Sequence, residues 1–452
     1  MKNLLLVFGI LFNSLLSYSV DLPKLKVSDD RRFIVTESGK PFLWLGNTAW
    51  EMIHRLNREE ISLFLEDCSS KGFTVIQTVI LAELDGLNTP NAYGERPLIN
   101  NDPTKLNEEY FRNVDFAIKK ASELGLYIGL LPTWGDKYYK KWGAGPEIFT
   151  PENAGIYAEL LAKRYEKSTN IIWILGGDRF PDQPKHFEVI RAIAKGLKKT
   201  DPSKLISFHP WGGRAATEAF NEDWLDIDMF QTTHDRRAKD YEFVLSARKI
   251  SPARPVINGE ARYENIPDRL DSDLRFGWLD DSDVRTSAYW TMLSGAAGYT
   301  YGCNDVWQMY SVGKDPIIRA RTDWSEAIHL PGSQQMKFLH ELFSKFPWQQ
   351  MINDQNLILN NNQKDSTYMV CARSLQNDFI LAYTPFGKPL TLDLSILKSA
   401  ALEAYWFNPR SGKTLYIGNF SNSDKPVFEP WSIGRGSDFI LLVKAKDYPY
   451  KL

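Results

Sequence analysis

The sequence has 452 residues, which is enough to bury a large hydrophobic core and too many for one small domain. Its formal net charge of -2 argues against nucleic acid as a partner, because neutralising many phosphates requires a clear excess of Lys and Arg. Aromatic residues make up 13% of the chain and include 14 Trp, which suits sugar stacking as well as a large aromatic core. The cysteines, Cys68, Cys303 and Cys371, are far apart and predict neither a disulfide framework nor a Cys-x-x-Cys site.

The N-terminus has the parts of a secretory signal peptide. Lys2 precedes an apolar run from Leu4 to Leu16, and the small residues Ser17 and Ser19 follow. A run of this length is too short to span a bilayer comfortably. We therefore expect residues 1–19 to be a signal peptide and the mature protein to be secreted or periplasmic, without a stable membrane span. An N-terminal membrane anchor is the alternative.

Short apolar runs rich in β-branched residues alternate with amphipathic stretches over residues 20–348. Eight such runs occur, at 41–46, 74–81, 127–133, 170–176, 205–209, 226–231, 255–258 and 297–302. Between them, Asn57 and Glu60 predict a capping box, and Gly125 predicts a helix end. Eight strands that alternate with helices close into a barrel. The sequence therefore predicts the α/β class and a (β/α)8 TIM barrel, with residues 21–40 as a short strap before it.

Beyond residue 348 the pattern changes to short alternating strands. Runs at 367–373, 378–383, 402–407 and 438–443 are separated by loops that contain Asn, Gly and Pro. This spacing is typical of an antiparallel β-sandwich. We predict that residues 349–452 form a small C-terminal β-sandwich, for which packing against the barrel is favoured over independent glycan binding.

Two carboxylates follow predicted barrel strands directly. Asp178 comes after Gly176 and Gly177 at the end of the fourth strand, and Glu260 comes after Gly259 at the end of the seventh. Active sites of such barrels lie at the carboxyl ends of the strands, so these two acids should face each other across the barrel mouth. A pair of this kind lets one acid protonate a leaving oxygen while the other attacks an anomeric carbon. The alternative is that each acid pairs with a neighbouring arginine, Arg179 or Arg262.

Further polar and aromatic side chains occur within or just after the same strands. As candidates for substrate binding we select Asn47, Trp50, Gln77, Trp134, His209, His234, Tyr263, Tyr301, Asn304 and Trp307. For His209 and His234 the choice is between bonding substrate hydroxyls and orienting the carboxylates. Trp134, Trp142, Trp211 and Trp307 are either sugar-stacking platforms or plugs of the barrel.

The histidines do not form a recognisable metal-binding motif. A catalytic metal wants about three protein ligands in a compact set, and the sequence has no His-x-His and no His-Glu-x-x-His. We predict no metal and no cofactor, with a metal-dependent hydrolase as the rival hypothesis.

Taken together, these motifs resemble the apiosidase-like glycoside hydrolases (family 140) across roughly residues 25–348. The matching stretches are 45–50 (LGNTAW), 71–77 (KGFTVIQ), 175–178 (LGGD), 208–210 (FHP), 231–234 (QTTH), 258–264 (NGEARYE) and 298–302 (GYTYG). The resemblance implies a retaining barrel enzyme with Asp178 as acid/base and Glu260 as nucleophile. One departure is Asn47, where many relatives are expected to have Asp.

The resemblance also implies a substrate. It points to release of apiose from a plant pectic glycan, rhamnogalacturonan II, so that the partner is a plant cell-wall oligosaccharide or polysaccharide. Two other hypotheses stay open at this point. One is an endo-glycanase that cuts another plant polysaccharide, and the other is a barrel that binds carbohydrate without cleaving it.

Overall fold

The computed structural model describes residues 22–449. The predicted signal peptide at residues 1–19 lies outside this range. Within it, no helix combines the length and the apolar character needed to cross a membrane. The described chain begins with an antiparallel pair in the segment predicted as a strap, formed by β1 (Leu25–Val27) and β2 (Ile34–Thr36).

A barrel of parallel strands follows. Its strands and two short accessory strands are β3 (Trp44–Thr48), β4 (Val75–Leu81), β5 (Tyr127–Thr133), β6 (Ile171–Gly176), β7 (Ile206–His209), β8 (Arg214–Ala215, accessory), β9 (Asp228–Gln231), β10 (Val256–Glu260), β11 (Tyr263–Glu264, accessory) and β12 (Gly298–Cys303). The order around the barrel is β7-β6-β5-β4-β3-β12-β10-β9. A parallel bridge between Ser207 and Ile227 closes the ring. This confirms the predicted TIM barrel.

Helices cover the outside of the barrel and its carboxyl-end loops. They are α1 (Met52–Arg55), α2 (Arg58–Ser70), α3 (Glu108–Glu123), α4 (Pro151–Arg164), α5 (Pro184–Thr200), α6 (Asp240–Ala247), α7 (Asp281–Leu293), α8 (Asn304–Trp307), α9 (Trp324–Ala327) and α10 (Pro331–Ser344). The fifth unit departs from the predicted alternation, because residues 210–227 contain only β8 and a single 3₁₀ turn. Pro210, Gly212 and Gly213 interrupt this segment, which leaves no length for a helix of several turns.

Local sequence signals explain several of these elements. All seven residues of β4 are buried, because one face of the strand fills the barrel and the other lies under helices. The predicted capping box is present: the Asn57 side chain accepts from the Glu60 backbone N–H, and the Glu60 side chain accepts from the Asn57 N–H. Gly125 has φ 78°, a left-handed conformation that ends the helix before it at little steric cost.

Residues after the barrel form antiparallel strands. They are β13 (Met351–Asn353), β14 (Val370–Ser374), β15 (Phe379–Thr384), β16 (Leu390–Thr391), β17 (Leu402–Phe407), β18 (Thr414–Phe420), β19 (Val427–Phe428) and β20 (Phe439–Ala445). Six of them form one sheet in the order β13-β14-β15-β20-β17-β18, and β16 pairs with β19. Ile380 and Ala382 pack toward the small pair, whereas Leu381 and Tyr383 pack toward the barrel. The larger sheet therefore has a buried face on each side.

A buried ion pair joins this domain to the barrel. Arg285 on α7 donates from Nε and Nη2 to the Asp438 carboxylate at 2.8 to 3.2 Å, and both side chains are almost fully buried. Trp290 on the same helix donates from Nε1 to the Tyr368 carbonyl at 2.8 Å. The C-terminal domain thus braces α7, the helix that follows the strand carrying Glu260.

Candidate active site

A cavity of about 500 Å³ opens at the carboxyl ends of the barrel strands. Asp178 and Glu260 both line it. Its other walls are aromatic, aliphatic and polar side chains, among them Trp50, Glu83, Trp134, Trp142, Trp211, His234, Tyr263, Leu270, Trp307, Ile317 and Ile318. A volume of this size is in the range that encloses a small ligand.

The backbone before Asp178 turns tightly to bring its carboxyl group to the cavity. Gly176 and Gly177 have φ of 92° and 105°, and Asp178 itself has φ 51°. A Cβ at Gly176 would lie 2.4 Å from the His209 carbonyl oxygen, and one at Gly177 would lie 2.7 Å from the Trp134 ring. Only glycine fits both positions, because they combine a left-handed backbone with close contacts. The Asp178 side chain is 22% exposed.

Glu260 ends β10, and neighbouring side chains fix its position. Gln77 donates from Nε2 to the Gly259 carbonyl at 2.8 Å across the barrel. His209 Nε2 lies 2.9 Å from Glu260 Oε2, and His234 Nε2 lies 3.2 Å from Glu260 Oε1. Each carboxylate oxygen therefore faces one imidazole nitrogen, which orients the group.

The two carboxyl groups lie close together. One oxygen of Asp178, one oxygen of Glu260 and one ring nitrogen of His209 all lie within 4.8 Å of one another. Carboxyl groups about 5–5.5 Å apart suit glycosidases that form a covalent intermediate, whereas separations of about 6.5–9.5 Å leave room for an attacking water. The geometry matches the shorter spacing.

The surroundings of the two acids move their pKa values in opposite directions. Burial, reinforced by the negative charge of Glu260, raises the pKa of Asp178 to about 6. Burial also acts to raise the pKa of Glu260, but the contacts with His209 and His234 outweigh it and lower that pKa to about 2. His209 in turn has a raised pKa, because the Glu260 carboxylate outweighs the effect of burial. The pair is thus set up as one protonated acid beside one ionised carboxylate.

The neighbouring arginines do not neutralise these acids. Arg179 donates to the backbone carbonyls of Tyr139, Asp178 and Lys140, not to the Asp178 carboxylate. Arg262 donates to the carboxylate of Asp240 and to backbone carbonyls. The alternative in which each acid pairs with its neighbouring arginine is therefore wrong.

Several predicted site residues meet at the cavity. Trp50, Trp134, His234, Tyr263 and Trp307 line it as expected. The Trp50 ring packs 5.2 Å from both the Trp134 and the His209 rings, so it forms the cavity floor as well as supporting His209. His209 itself is fully buried and contacts Glu260, which leaves it the orienting role among its two predicted roles.

Trp142 and Trp211 lie at the mouth of the cavity. They are 55% and 42% exposed, and their ring centroids are 4.7 Å apart. The Arg179 guanidinium stacks 4.1 Å from the Trp142 ring. Such exposure favours the platform interpretation of these two residues over the core interpretation.

Asn47, Gln77, Tyr301 and Asn304 do not line the cavity, which corrects their predicted role as substrate contacts. Asn47 points outward and donates to Cys68 Sγ on α2, at 3.3 Å. The Tyr301 hydroxyl donates to Glu264 at 2.7 Å. Asn304 donates to the Ile318 carbonyl and accepts from Trp307 Nε1, so it shapes the cavity wall from behind. Gln77 likewise does not line the cavity, and its side chain donates to the carbonyl of Gly259, the residue before Glu260.

Glu83 is a cavity carboxyl group that the sequence analysis missed. It comes two residues after the end of β4, with no glycine motif and no adjacent charged partner in the sequence. The signal in the sequence is its position just after a barrel strand, where polar side chains reach the active site.

The same centre also contains the donor atoms of a candidate metal site. Within residues 22–449, Asp178, His209 and Glu260 form the group of donors compact enough to hold an ion. In the present geometry His209 faces Glu260 directly, so the imidazole already has a partner. A metal and the carboxylate pair would use the same side chains.

Comparison with family models places this geometry in context. The model described as "Apiosidase-like, catalytic domain" matches residues 28–350. The chain belongs to the apiosidase-like family. A second model, "Putative collagen-binding domain of a collagenase", matches residues 352–444. A search of curated proteins found no match.

Solved structures extend the comparison to the whole described chain. A glycoside hydrolase family 5 protein from Bacteroides vulgatus ATCC 8482 is 31% identical, with 95% of this chain and 96% of that chain covered and a TM-score of 0.87. A second structure, named glycoside hydrolase, has the same identity and TM-score, with 95% and 98% covered. The family and these relatives make the chain a glycoside hydrolase.

Proposed function

We propose that this glycoside hydrolase releases an apiose-linked sugar from rhamnogalacturonan II or a related plant pectic glycan, with retention of anomeric configuration. Membership of the apiosidase-like family supports the choice of apiose. The cavity of about 500 Å³ supports a small terminal sugar over a long chain bound in an open cleft. The N-terminal sequence supports action outside the cytoplasm.

The observation that carries the mechanism is the close pair of carboxyl groups, of which only Glu260 lies between two imidazole nitrogens at 2.9 and 3.2 Å. In the first step a Glu260 oxygen attacks the anomeric carbon, the glycosidic C–O bond breaks, and Asp178 transfers its proton to the leaving oxygen. In the second step Asp178, now ionised, takes a proton from water, whose oxygen attacks the same carbon and displaces Glu260. Asp178 thereby regains its proton, and the sugar leaves with its original configuration.

The histidines contribute by placing the nucleophile. The His209 imidazolium and His234 hold the Glu260 carboxylate ionised and fix its plane toward the cavity. Burial raises the pKa of Tyr263 well above its ordinary value, so its hydroxyl stays protonated beside Glu260. A hydrogen-bond donor in that position stabilises negative charge on the carboxylate as it leaves the covalent intermediate.

A screen against pectic side-chain oligosaccharides tests the proposal. The released monosaccharide would be identified by chromatography, and the anomer formed first would be identified by proton NMR during the first minutes. We expect apiose with retained configuration, and no product from the Glu260→Gln variant. Release of another sugar would contradict the proposed substrate, and a product of inverted configuration would contradict the proposed mechanism.

Two rival hypotheses are tested alongside. A metal-dependent hydrolase would lose activity on dialysis against EDTA and regain it with one added metal, whereas the carboxylate mechanism predicts unchanged activity. A barrel that only binds carbohydrate would retain oligosaccharide in a pull-down assay without forming product.

A further inference from the structure

Glu83 is an acidic side chain of the cavity that the two-carboxylate mechanism does not use. Its side chain is 17% exposed and lines the same cavity as Asp178 and Glu260. Buried carboxyl groups in a binding cavity are costly unless they bond to something. The position therefore requires a physical explanation.

The loop that carries Glu83 is firmly held. The backbone N–H of Leu84 donates to Glu51 Oε1 at 3.0 Å. The other oxygen of Glu51 lies 2.7 Å from His54 Nδ1, and His54 Nε2 lies 3.0 Å from the Thr89 carbonyl. Because Glu51 and His54 are themselves buried, this network fixes both ends of the segment from 83 to 89. Glu83 is thus presented to the cavity by a rigid loop.

The protein leaves hydrogen-bonding capacity on the Glu83 carboxyl group. The cation Arg179 lies nearby, but its Nη2 is 3.9 Å from Glu83 Oε1, beyond hydrogen-bond distance. Arg179 already donates to three backbone carbonyls and stacks on Trp142. Across residues 22–449, no side-chain or backbone donor forms a hydrogen bond with this carboxyl group.

The charges around Glu83 favour its neutral form. Burial and the negative charge of Asp178 raise the pKa of Glu83 to about 8, and the opposing effect of Arg179 is smaller. Asp136 and Glu51 add to the same increase. A protonated carboxyl group has one O–H donor and free acceptor lone pairs, which match the donor and acceptor of a sugar hydroxyl.

We propose that Glu83 is a substrate-binding residue, whose carboxyl group lines the cavity without a hydrogen-bond partner in the described part of the chain and donates a hydrogen bond to a hydroxyl of the sugar held beside Asp178. This inference rests on the proposed function for the identity of the sugar and for the role of Asp178 as the acid. It assigns a role in recognising sugar hydroxyls to a cavity residue near Arg179, whose guanidinium stacks on the Trp142 ring.

Glu83→Ala and Glu83→Gln separate this role from its alternatives. On 4-nitrophenyl apioside we expect Glu83→Ala to raise KM about tenfold with a smaller change in kcat, the usual size for one lost hydrogen bond. Glu83→Gln should recover most of the loss, because its amide also donates. That substitution replaces one neutral group by another. The fall in activity at higher pH, which reflects ionisation of Asp178, should therefore occur at the same pH as in the wild-type enzyme. Glu188→Gln, an exposed position on α5, is the matched control.

The possible outcomes are distinct. The proposal is wrong if Glu83→Gln is as damaging as Glu83→Ala, or if Glu83→Gln lowers the pH at which Asp178 ionises. Either result would mean that the native group is a carboxylate. An unchanged KM in Glu83→Ala would overturn the proposal as well. If wild-type enzyme does not cleave the apioside, the substrate proposal fails instead, and the same variants are compared on the oligosaccharide that the screen shows to be cleaved. Thermal unfolding curves verify that each variant is folded.

Discussion

The ends of β6 and β10 carry the same chemical group in different surroundings. At the end of β6, Asp178 follows two glycines in left-handed conformations, and no cation contacts its carboxylate as closely as the histidines contact Glu260. At the end of β10, Glu260 lies between two imidazole nitrogens at 2.9 and 3.2 Å. Burial raises the pKa of both groups. The contacts with the two histidines outweigh burial at Glu260, whereas the negative charge of Glu260 adds to it at Asp178.

This contrast divides the work of hydrolysis. An acid must keep its proton until the leaving oxygen takes it, and a nucleophile must be ionised before the substrate arrives. Two identical environments would produce two groups that compete for one proton. In the proposed mechanism, the two histidines around Glu260 give each carboxyl group one role.

Removing the Glu260 carboxylate should cause the largest loss of activity. We expect Glu260→Gln to lower kcat by about 100,000-fold, because a neutral amide oxygen is a far weaker nucleophile than a carboxylate. The measurement is hydrolysis of an aryl apioside, with Glu188→Gln as the folded and active control. A folded Glu260→Gln enzyme with near-wild-type turnover would remove Glu260 from the nucleophile role.

Removing Asp178 separates substrates by their leaving groups. We expect Asp178→Ala to lower kcat/KM by about 100- to 10,000-fold on a natural glycan, which needs a proton on its leaving oxygen. An aryl glycoside with an acidic phenol should lose much less in the first step, since its leaving group departs without that proton. Equal losses on both substrates would contradict the assignment. Asp223→Asn, at an exposed position, serves as the control.

The raised pKa of Asp178 predicts the alkaline side of the pH profile. Because the acid works only when protonated, kcat/KM should fall as the pH rises through about 6, by about tenfold per pH unit. The corresponding loss on the acidic side, from protonation of Glu260, lies near pH 2 and outside the usual assay range. A profile that stays flat from pH 5 to 9 would show that a different group supplies the proton.

Removing one histidine should reduce the difference in pKa between Asp178 and Glu260 without abolishing it. We expect His209→Asn to lower kcat by about tenfold to 100-fold, the typical effect of losing a residue that orients a catalytic group. The pKa of Glu260 should rise, so that a loss of activity on the acidic side appears in profiles measured from pH 3 to 7. His329→Asn, at an exposed position, is the control. Absence of that acidic loss would mean that His209 does not tune Glu260.

Regular patterns in the sequence predicted the architecture well. Buried β-branched runs and the Asn57 capping box are local signals, and the eight barrel strands appear where such signals occur. Two parts of the fold that differ from the prediction lack such local signals. The edge strand β18 is mostly exposed and has no alternation to read, and the fifth helix is absent from a segment interrupted by Pro210 and glycines.

The site was predictable only in part, because the direction of a side chain depends on the fold. Asp178 and Glu260 follow glycines at strand ends, which is a signal in the sequence. Asn47 lies near a strand end as well, but its side chain faces the helix layer and Cys68. The only local signal at Glu83 is its position two residues after β4, because the charges that shift its pKa come mainly from Asp178 and Arg179 on another strand's loop.

Trapping the covalent intermediate tests the central claim most directly. In Asp178→Ala an aryl apioside should form the glycosyl-enzyme rapidly and release it slowly, because no base activates water. Intact-protein mass spectrometry after rapid acid quench should then show one added sugar, and peptide fragmentation should place it on Glu260. A label on any other residue, or full turnover to an inverted sugar without a label, would contradict the account.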